Sequence, residues 1–261
     1  MKKMFEDEDE DDNNVFFRTY AEFLDYHCYL MRHPRPSRLG NDFSYIPQSL
    51  DWRTRGAVTG VKHQIGRGTC WAFAVAACIE GFVQIQTGIL RSLSVEQLVQ
   101  YAYEDRGKLQ GGQLALGFAY VVMLRGLTSW KAWPYGEVLQ MGERCISAAT
   151  IDGFKIVRPY DENMLKLAVS KQPVAVSIHG SDEFSKYTGG VFLGWCSGLA
   201  SRLDHCLVIV GYGTSAEGLD FWLCKNSYGI HWGENGYIRI LRNTENDSGL
   251  CGIAIDPMYP I

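Results

Sequence analysis

One run of the chain, "CWAFAVAACIEGF" at residues 70–82, restricts the fold more than any other. Wound as a helix it is apolar on every face, so it has to be buried all round rather than laid on a surface. Its alanines favour the helical form. A sequence of 261 residues is long enough to surround such a helix with a core. The composition agrees, with 46% hydrophobic and 21% charged residues, far from the charge-rich balance of disordered chains. No apolar run approaches the roughly 20 residues of a membrane-spanning helix.

Other segments carry their own signals. In "RSLSVEQLVQYAYE", Ser94 and Gln97 have capping-box spacing and Leu93 and Leu98 can form the hydrophobic staple, which predicts a helix starting near Ser94. A third helix is expected from Gln113 through "LALGFAYVVMLR" to a stop at Gly126, and a fourth over "DENMLKLAVSKQ", ending before Pro173. From Pro173 the pattern changes to short β-rich runs, "PVAVSIH", "GGVFLG", "HCLVIVGYG", "DFWLCKNS" and "GYIRILR", separated by glycine-rich turns. Asn235-Gly236 is a strong tight-turn pair. Helices first and strands afterwards imply an α+β fold of two lobes with a cleft between them.

Residues 1–45 differ from the rest, with six Lys/Arg, ten Asp/Glu and seven consecutive acids from Glu6 to Asp12. We expect an acidic, mostly disordered leader there and a folded domain over 46–261. Nothing before the acidic block resembles a secretory signal. The folded part has nineteen residues of each sign. It therefore lacks the basic face that nucleic acid or an anionic membrane would need, and neither is expected as a partner. The cysteines form no C-x-x-C pairs, so no metal site and no cofactor are expected.

Cys70 stands where the glycine-rich turn "GRGT" gives way to the apolar helix. A buried cysteine is often only a small hydrophobe. At a helix N-terminus, however, unpaired N–H groups and the positive end of the dipole favour thiolate, and position alone can activate the sulfur. Acyl transfer further requires a base, a group that orients it, and donors aimed at the developing oxyanion. Gln64, six residues before Cys70, can bring its amide beside the sulfur. His205 opens an apolar strand 135 positions after Cys70, and Asn226 ends another at 156 positions, with Trp232 in the following loop.

These residues, in this order, resemble the papain family of cysteine proteases, in its plant-type, cathepsin L-like branch. The likeness extends through "IPQSLDWRTRGAVTGVKHQ", "CWAF", "SLSVEQLV", "QPVAVSI", "GGVFLG", "LDHCLVIVGYG", "KNSYGIHWGENGYIRI" and "GLCGIAIDPMYPI". It implies a papain-like fold with a helical N-terminal lobe and a β-barrel-like C-terminal lobe. It makes Cys70 the nucleophile, His205 its imidazolium partner, Asn226 the group that holds the ring, and Gln64 part of the oxyanion hole. It also implies substrate binding at Gly111 and Gly112, and a second pocket from Leu114, Ser177, Leu203 and Cys206 with Asp256 at its base. Peptide or protein substrates follow, with cystatin-type inhibitors as possible partners, a monomeric state, and a vacuolar, lysosomal or extracellular setting. The leader would be a prodomain remnant, its "FFRTYAEFLDY" matching the end of one. His27, His33, His63, His179 and His231 match no motif and are read as ordinary surface or loop residues.

The chain departs from that pattern in places. Of three bridges implied by the resemblance, one would need cysteines where Arg67 and Leu109 stand, and a second has Tyr101 opposite Cys145. Only Cys196 and Cys251 match the third, which leaves Cys28, Cys78, Cys145, Cys206 and Cys224 as free thiols. Losing a bridge typically costs about 2–5 kcal/mol, so a weaker helical lobe is expected unless packing compensates. Tyr228 replaces a tryptophan over the Asn–His contact, and the smaller ring is expected to admit more water. Asn246-Asp247-Ser248 is a glycosylation sequon, relevant only to a secreted chain. Two further readings of the chain are a non-catalytic binding or storage protein on the same scaffold, and a thiol sensor built on the free cysteines.

Overall fold

The computed structural model describes residues 46–106, 111–137 and 146–261. The expectations for the leader, Cys28, Leu109 and Cys145 lie outside them. The all-apolar run forms α1, Cys70–Thr87, with every residue from Cys70 to Ala76 buried. It extends a turn beyond the predicted end and closes at Gly88, whose N–H bonds to Gln84 O at 2.7 Å. The second helix, α2, is Val95–Arg106. Its capping box is only half made. Ser94 Oγ accepts from Gln97 N at 3.1 Å, but the Gln97 side chain accepts from Thr128 N at 2.7 Å instead of returning to Ser94. Ser94 N–H itself bonds to Thr128 O, so a neighbouring strand segment replaces the local contact.

Helix α3, Leu114–Met123, stops earlier than expected, and the reversal begins at Arg125 with φ 55 before reaching Gly126. Helix α4, Glu162–Lys171, follows the reading closely. Asp161 caps it by accepting from Asn163 N and Met164 N at 3.1 and 3.0 Å. The four-residue α5, Asp182–Ser185, was not anticipated.

The five expected strands are present as β3 (Val174–Ile178), β4 (Val191–Phe192), β5 (His205–Thr214), β6 (Asp220–Lys225) and β7 (Tyr237–Leu241). Three others of two or three residues, β1 (Leu50–Asp51), β2 (Phe154–Ile156) and β8 (Met258–Pro260), are too short to show alternation in sequence. The sheet runs β2-β8-β3-β5-β6-β7-β4, with β1 attached to the far end of β5. All pairings are antiparallel except β4 with β7. At Asn235-Gly236 both φ values are positive, 56 and 86, and Glu234 and Tyr237 exchange both backbone bonds, as a two-residue primed turn requires.

Strand β5 is the structural axis, with nine of its ten residues buried and α1 packed against it. A buried polar knot ties α1 to the Thr59–Lys62 segment and, through Thr59, to the end of β6. Glu80, on α1 and 1% exposed, accepts from Lys62 Nζ at 2.6 Å, Leu93 N at 2.8 Å and the Thr59 hydroxyl. Lys225, at the end of β6, donates to Thr59 O at 2.8 Å and Thr59 Oγ1 at 3.0 Å. Burial alone would push the Glu80 carboxyl up, but Lys62 and Lys225 outweigh it and hold it below its ordinary value. Burial lowers Lys225 to about 8, against the attraction of Glu80. Replacing Glu80 by alanine strands these cations and is expected to cost about 3–5 kcal/mol of stability in urea unfolding. A loss below about 1 kcal/mol, typical of a surface pair, would contradict that role.

Candidate active site

Thr69 is the N-cap residue of α1, yet its side chain makes no cap bond. Its hydroxyl lies 2.6 Å from Tyr135 Oη, which itself donates to Gln64 O at 2.9 Å, so the Thr69 proton goes to the phenol. The first N–H groups of α1 therefore keep their positive character at Cys70, the first helical residue. Cys70 is 9% exposed. Its thiol is lowered to about 4, first by a hydrogen bond from the Cys206 thiol, against burial, and then by the hydrogen bond and charge of His205. Cys206 moves the opposite way, well above an ordinary thiol, because of the Cys70 sulfur beside it and because it is buried. Cys70 carries the negative charge and Cys206 keeps its proton.

The first residue of β5, His205, is 5% exposed. Its Nε2 donates to Asn226 Oδ1 at 2.8 Å, which leaves Nδ1 for the sulfur. Asn226 Oδ1 also accepts from Ser227 N at 2.7 Å. Two donors on one oxygen fix the amide orientation and account for Nδ2, which is buried without a partner. Ser227 extends the chain of contacts, since its Oγ donates to Gln64 Oε1 at 2.7 Å. One N–H of Gln64 goes to Arg67 O at 2.6 Å and the other remains. Gln64 is thus clamped within the wall, not swinging, and a backbone bond from its N–H to Ser227 O at 2.9 Å holds it there.

The expectation of a leaky shield is corrected. Tyr228 lies over the imidazole with centroids 4.8 Å apart, Phe184 approaches it at 5.6 Å, and Trp232 closes the group against Phe184 at 5.2 Å. Phe184 comes from α5, the helix that the sequence did not disclose. With His205 and Asn226 5% and 3% exposed, the smaller ring leaves their hydrogen bond dry.

Gly111 has φ 74 and its N–H is taken by Gly68 O at 3.1 Å. A Cβ at Gly112 would sit 2.4 Å from the Trp71 indole, so only glycine fits there. Ser177 Oγ donates to Asp256 Oδ2 at 3.2 Å and lies 3.9 Å from Cys206 Sγ, which brings three of the expected pocket residues together. Burial pushes Asp256 up to about 7, opposed only by the Ser177 bond. Leu203 is half-buried with its side chain against Gly252, whereas Leu114 is completely buried and offers no surface to a pocket, a correction to its assignment. Leu114, the first residue of α3, belongs to the buried core cluster. A cavity of about 520 Å³ lined by Asp51, Arg53, Arg55, Glu234 and Arg239 holds none of these residues, and Arg53 pairs there with Asp51 and Arg239 with Glu234.

Cys196 and Cys251 are joined by a disulfide. At the other bridge positions that are described, Arg67 and Tyr101, the side chains make contacts of a different kind. Arg67 makes two hydrogen bonds to Glu96, at 2.9 and 3.2 Å, and lies 4.7 Å over the Tyr135 ring, while Tyr101 packs edge-on against Tyr120 at 4.8 Å. Cys78 and Cys224 are free and completely buried. Sequence reasoning did not single out Tyr135, Phe184, Lys225 or Ser227. Of these only Lys225 and Ser227 had a signal, as the two neighbours of Asn226.

A family model described as "Papain family cysteine protease" matches residues 46–261. Among relatives, cysteine endopeptidase Rep1 of Oryza sativa subsp. japonica is 40% identical over 87% of this chain and 62% of its own length. Ananain of Ananas comosus is 39% identical over 95% of this chain and 71% of its own. The chain thus spans about three fifths of the length of Rep1 and of a second rice endopeptidase, RepA. Of solved structures, bromelain of Ananas comosus in complex with the E64 inhibitor aligns with a TM-score of 0.76 and 39% identity, covering 82% of this chain and 99% of that one.

Because the Cys70 thiol is lowered to about 4, its alkylation by iodoacetamide should keep its full rate as pH falls from neutral and be halved only near that value. A rate that declines from above pH 8, as for an ordinary thiol, would contradict the assignment of charge.

Proposed function

The chain belongs to the papain family of cysteine proteases, and on that ground we propose that it is a cysteine endopeptidase acting through Cys70, His205, Asn226 and Gln64. The observation that carries this reading is the thiolate at the uncapped end of α1, facing an imidazole whose other nitrogen is held by Asn226. The Cys70 sulfur attacks the peptide carbonyl. The free N–H of Gln64 and the Cys70 backbone N–H receive the oxyanion as it forms. His205 gives its proton to the leaving amine, and the C–N bond breaks to leave a thioester. His205 then takes a proton from water, whose oxygen attacks the thioester, releasing the acid and restoring the thiolate.

Substrate lies extended, pairing with the backbone of Gly112, since the N–H of Gly111 is already used. Ser177, Leu203, Cys206 and Asp256 form the second pocket, where Asp256 is neutral in acid and charged above about pH 7. The pocket therefore accepts an apolar side chain at low pH and arginine or lysine increasingly as pH rises. Cystatin-type inhibitors would occupy the same cleft. The Cys196–Cys251 bridge supports an oxidising setting, vacuolar, lysosomal or extracellular.

A fluorogenic dipeptide-amide assay with an epoxide thiol-protease inhibitor tests the reading. Turnover together with labelling of Cys70 is expected, and absence of both would favour a binding protein on this scaffold. Gln64→Ala should lower kcat by about 10²–10³, the cost of one oxyanion donor, and an unchanged kcat would remove Gln64 from the mechanism. The kcat/KM ratio for arginine over leucine in the second pocket should rise through about pH 7 in the native enzyme and stay flat in Asp256→Ala. Equal profiles would exclude Asp256 from specificity.

A further inference from the structure

Cys206 performs no step of the proposed mechanism, yet it shares the pocket of the reactive sulfur. It follows His205 on β5 and pairs in register with Ser177 of β3. The helix that begins at Cys70 packs on β5, Cys206 lines a small cavity with Phe73 and Ala74 of that helix, and its sulfur is 3.9 Å from Ser177 Oγ; of all neighbours it is the one that most lowers the Cys70 thiol. Both sulfurs are free and both are nearly buried, 9% exposed for Cys70 and 7% for Cys206. The other free thiols among the described residues are poor competitors. Cys78 donates to Pro173 O at 3.0 Å, Cys224 is enclosed in the core, and burial pushes both thiols upward.

We propose that Cys206 is a resolving thiol, and that the Cys70–Cys206 pair is a site of reversible oxidative modification by hydroperoxides. This rests on the reading of Cys70 as an exchange-competent thiolate. In the first step the Cys70 sulfur attacks the peroxide, an S–O bond forms, the O–O bond breaks, and the alkoxide or hydroxide leaves with the proton of the His205 imidazolium, whose ring is then neutral. Cys70 is then a sulfenic acid, oxidised by two electrons, and the peroxide has been reduced by two. In the second step Cys206 gives its proton to His205 and attacks the Cys70 sulfur. The S–S bond forms, the S–O bond breaks, and hydroxide leaves with that proton as water.

The order of events is built into the pair. While Cys70 is an anion, its charge holds the Cys206 proton in place, so Cys206 stays a thiol during turnover. Oxidation of Cys70 cancels that charge, and the largest restraint on Cys206 disappears as a target arises beside it. The resulting disulfide blocks the cleft but protects the sulfur from irreversible oxidation to the sulfinic state.

The test uses the full chain, treated with hydrogen peroxide, then mapped without reduction by mass spectrometry and assayed after dithiothreitol. A peptide pair linked through Cys70 and Cys206 is expected, with most of the lost activity regained on reduction. In Cys206→Ala and Cys206→Ser, Cys70 should instead proceed to sulfinic acid, with activity not regained relative to each variant's own starting value. Sulfinic acid on Cys70 in the native chain, or a Cys70 link to any other thiol, would overturn the proposal. Failure of the underlying reading gives a different result, since Cys70 would then resist iodoacetamide before any peroxide is added.

Discussion

The whole site depends on the meeting of two chain segments, the first turn of α1 and the first residues of β5. A sulfur at a helix end is only mildly acidified by position; it becomes a stable anion here because a thiol donor and an imidazole reach it from the strand. Leaving Thr69 out of the cap sacrifices a contact usually worth about 1 kcal/mol and keeps the helix end positive where the anion sits. The Glu80 knot then holds α1 against the segment containing Lys62 and against the end of β6. Since Lys225 immediately precedes Asn226, the same buried charges that fix the lobes also fix the group that orients His205.

Low polarity around the pair strengthens it. Phe184, Tyr228 and Trp232 close over the imidazole, so its bond to Asn226 acts in a medium less screening than water. The substitutions that depart from the family pattern are absorbed without disturbing this arrangement. Where a bridge would have stood, Arg67 ties the loop ahead of Cys70 to a nearly buried Glu96, and its guanidinium covers Tyr135, the residue that diverts Thr69 from capping. The lost covalent link is thereby replaced by contacts that converge on the nucleophile.

Much of this was legible in the chain because the relevant signals are local. The all-apolar α1, the helical segment of α4, the tight turn at Asn235-Gly236 and the five expected strands each follow from a few neighbouring residues. The elements that escaped depend on distant partners. β2 pairs with β8 across a hundred positions and β8 also pairs with β3, while the Gln97 side chain abandons its local cap for Thr128. Likewise the motif residues Cys70, His205, Asn226 and Gln64 could be named, but their supports, Ser227, Tyr135 and Phe184, are ordinary residues until the fold brings them together. Leu114 failed as a pocket residue for the same reason, since nothing in its neighbours tells which side of α3 faces the core.

The charge separation at the centre can be observed directly by neutron diffraction from deuterated crystals near neutral pH. The account predicts deuterium on both ring nitrogens of His205 and on Cys206 Sγ, with none on Cys70 Sγ. Deuterium on Cys70 Sγ together with a singly protonated His205 would contradict it.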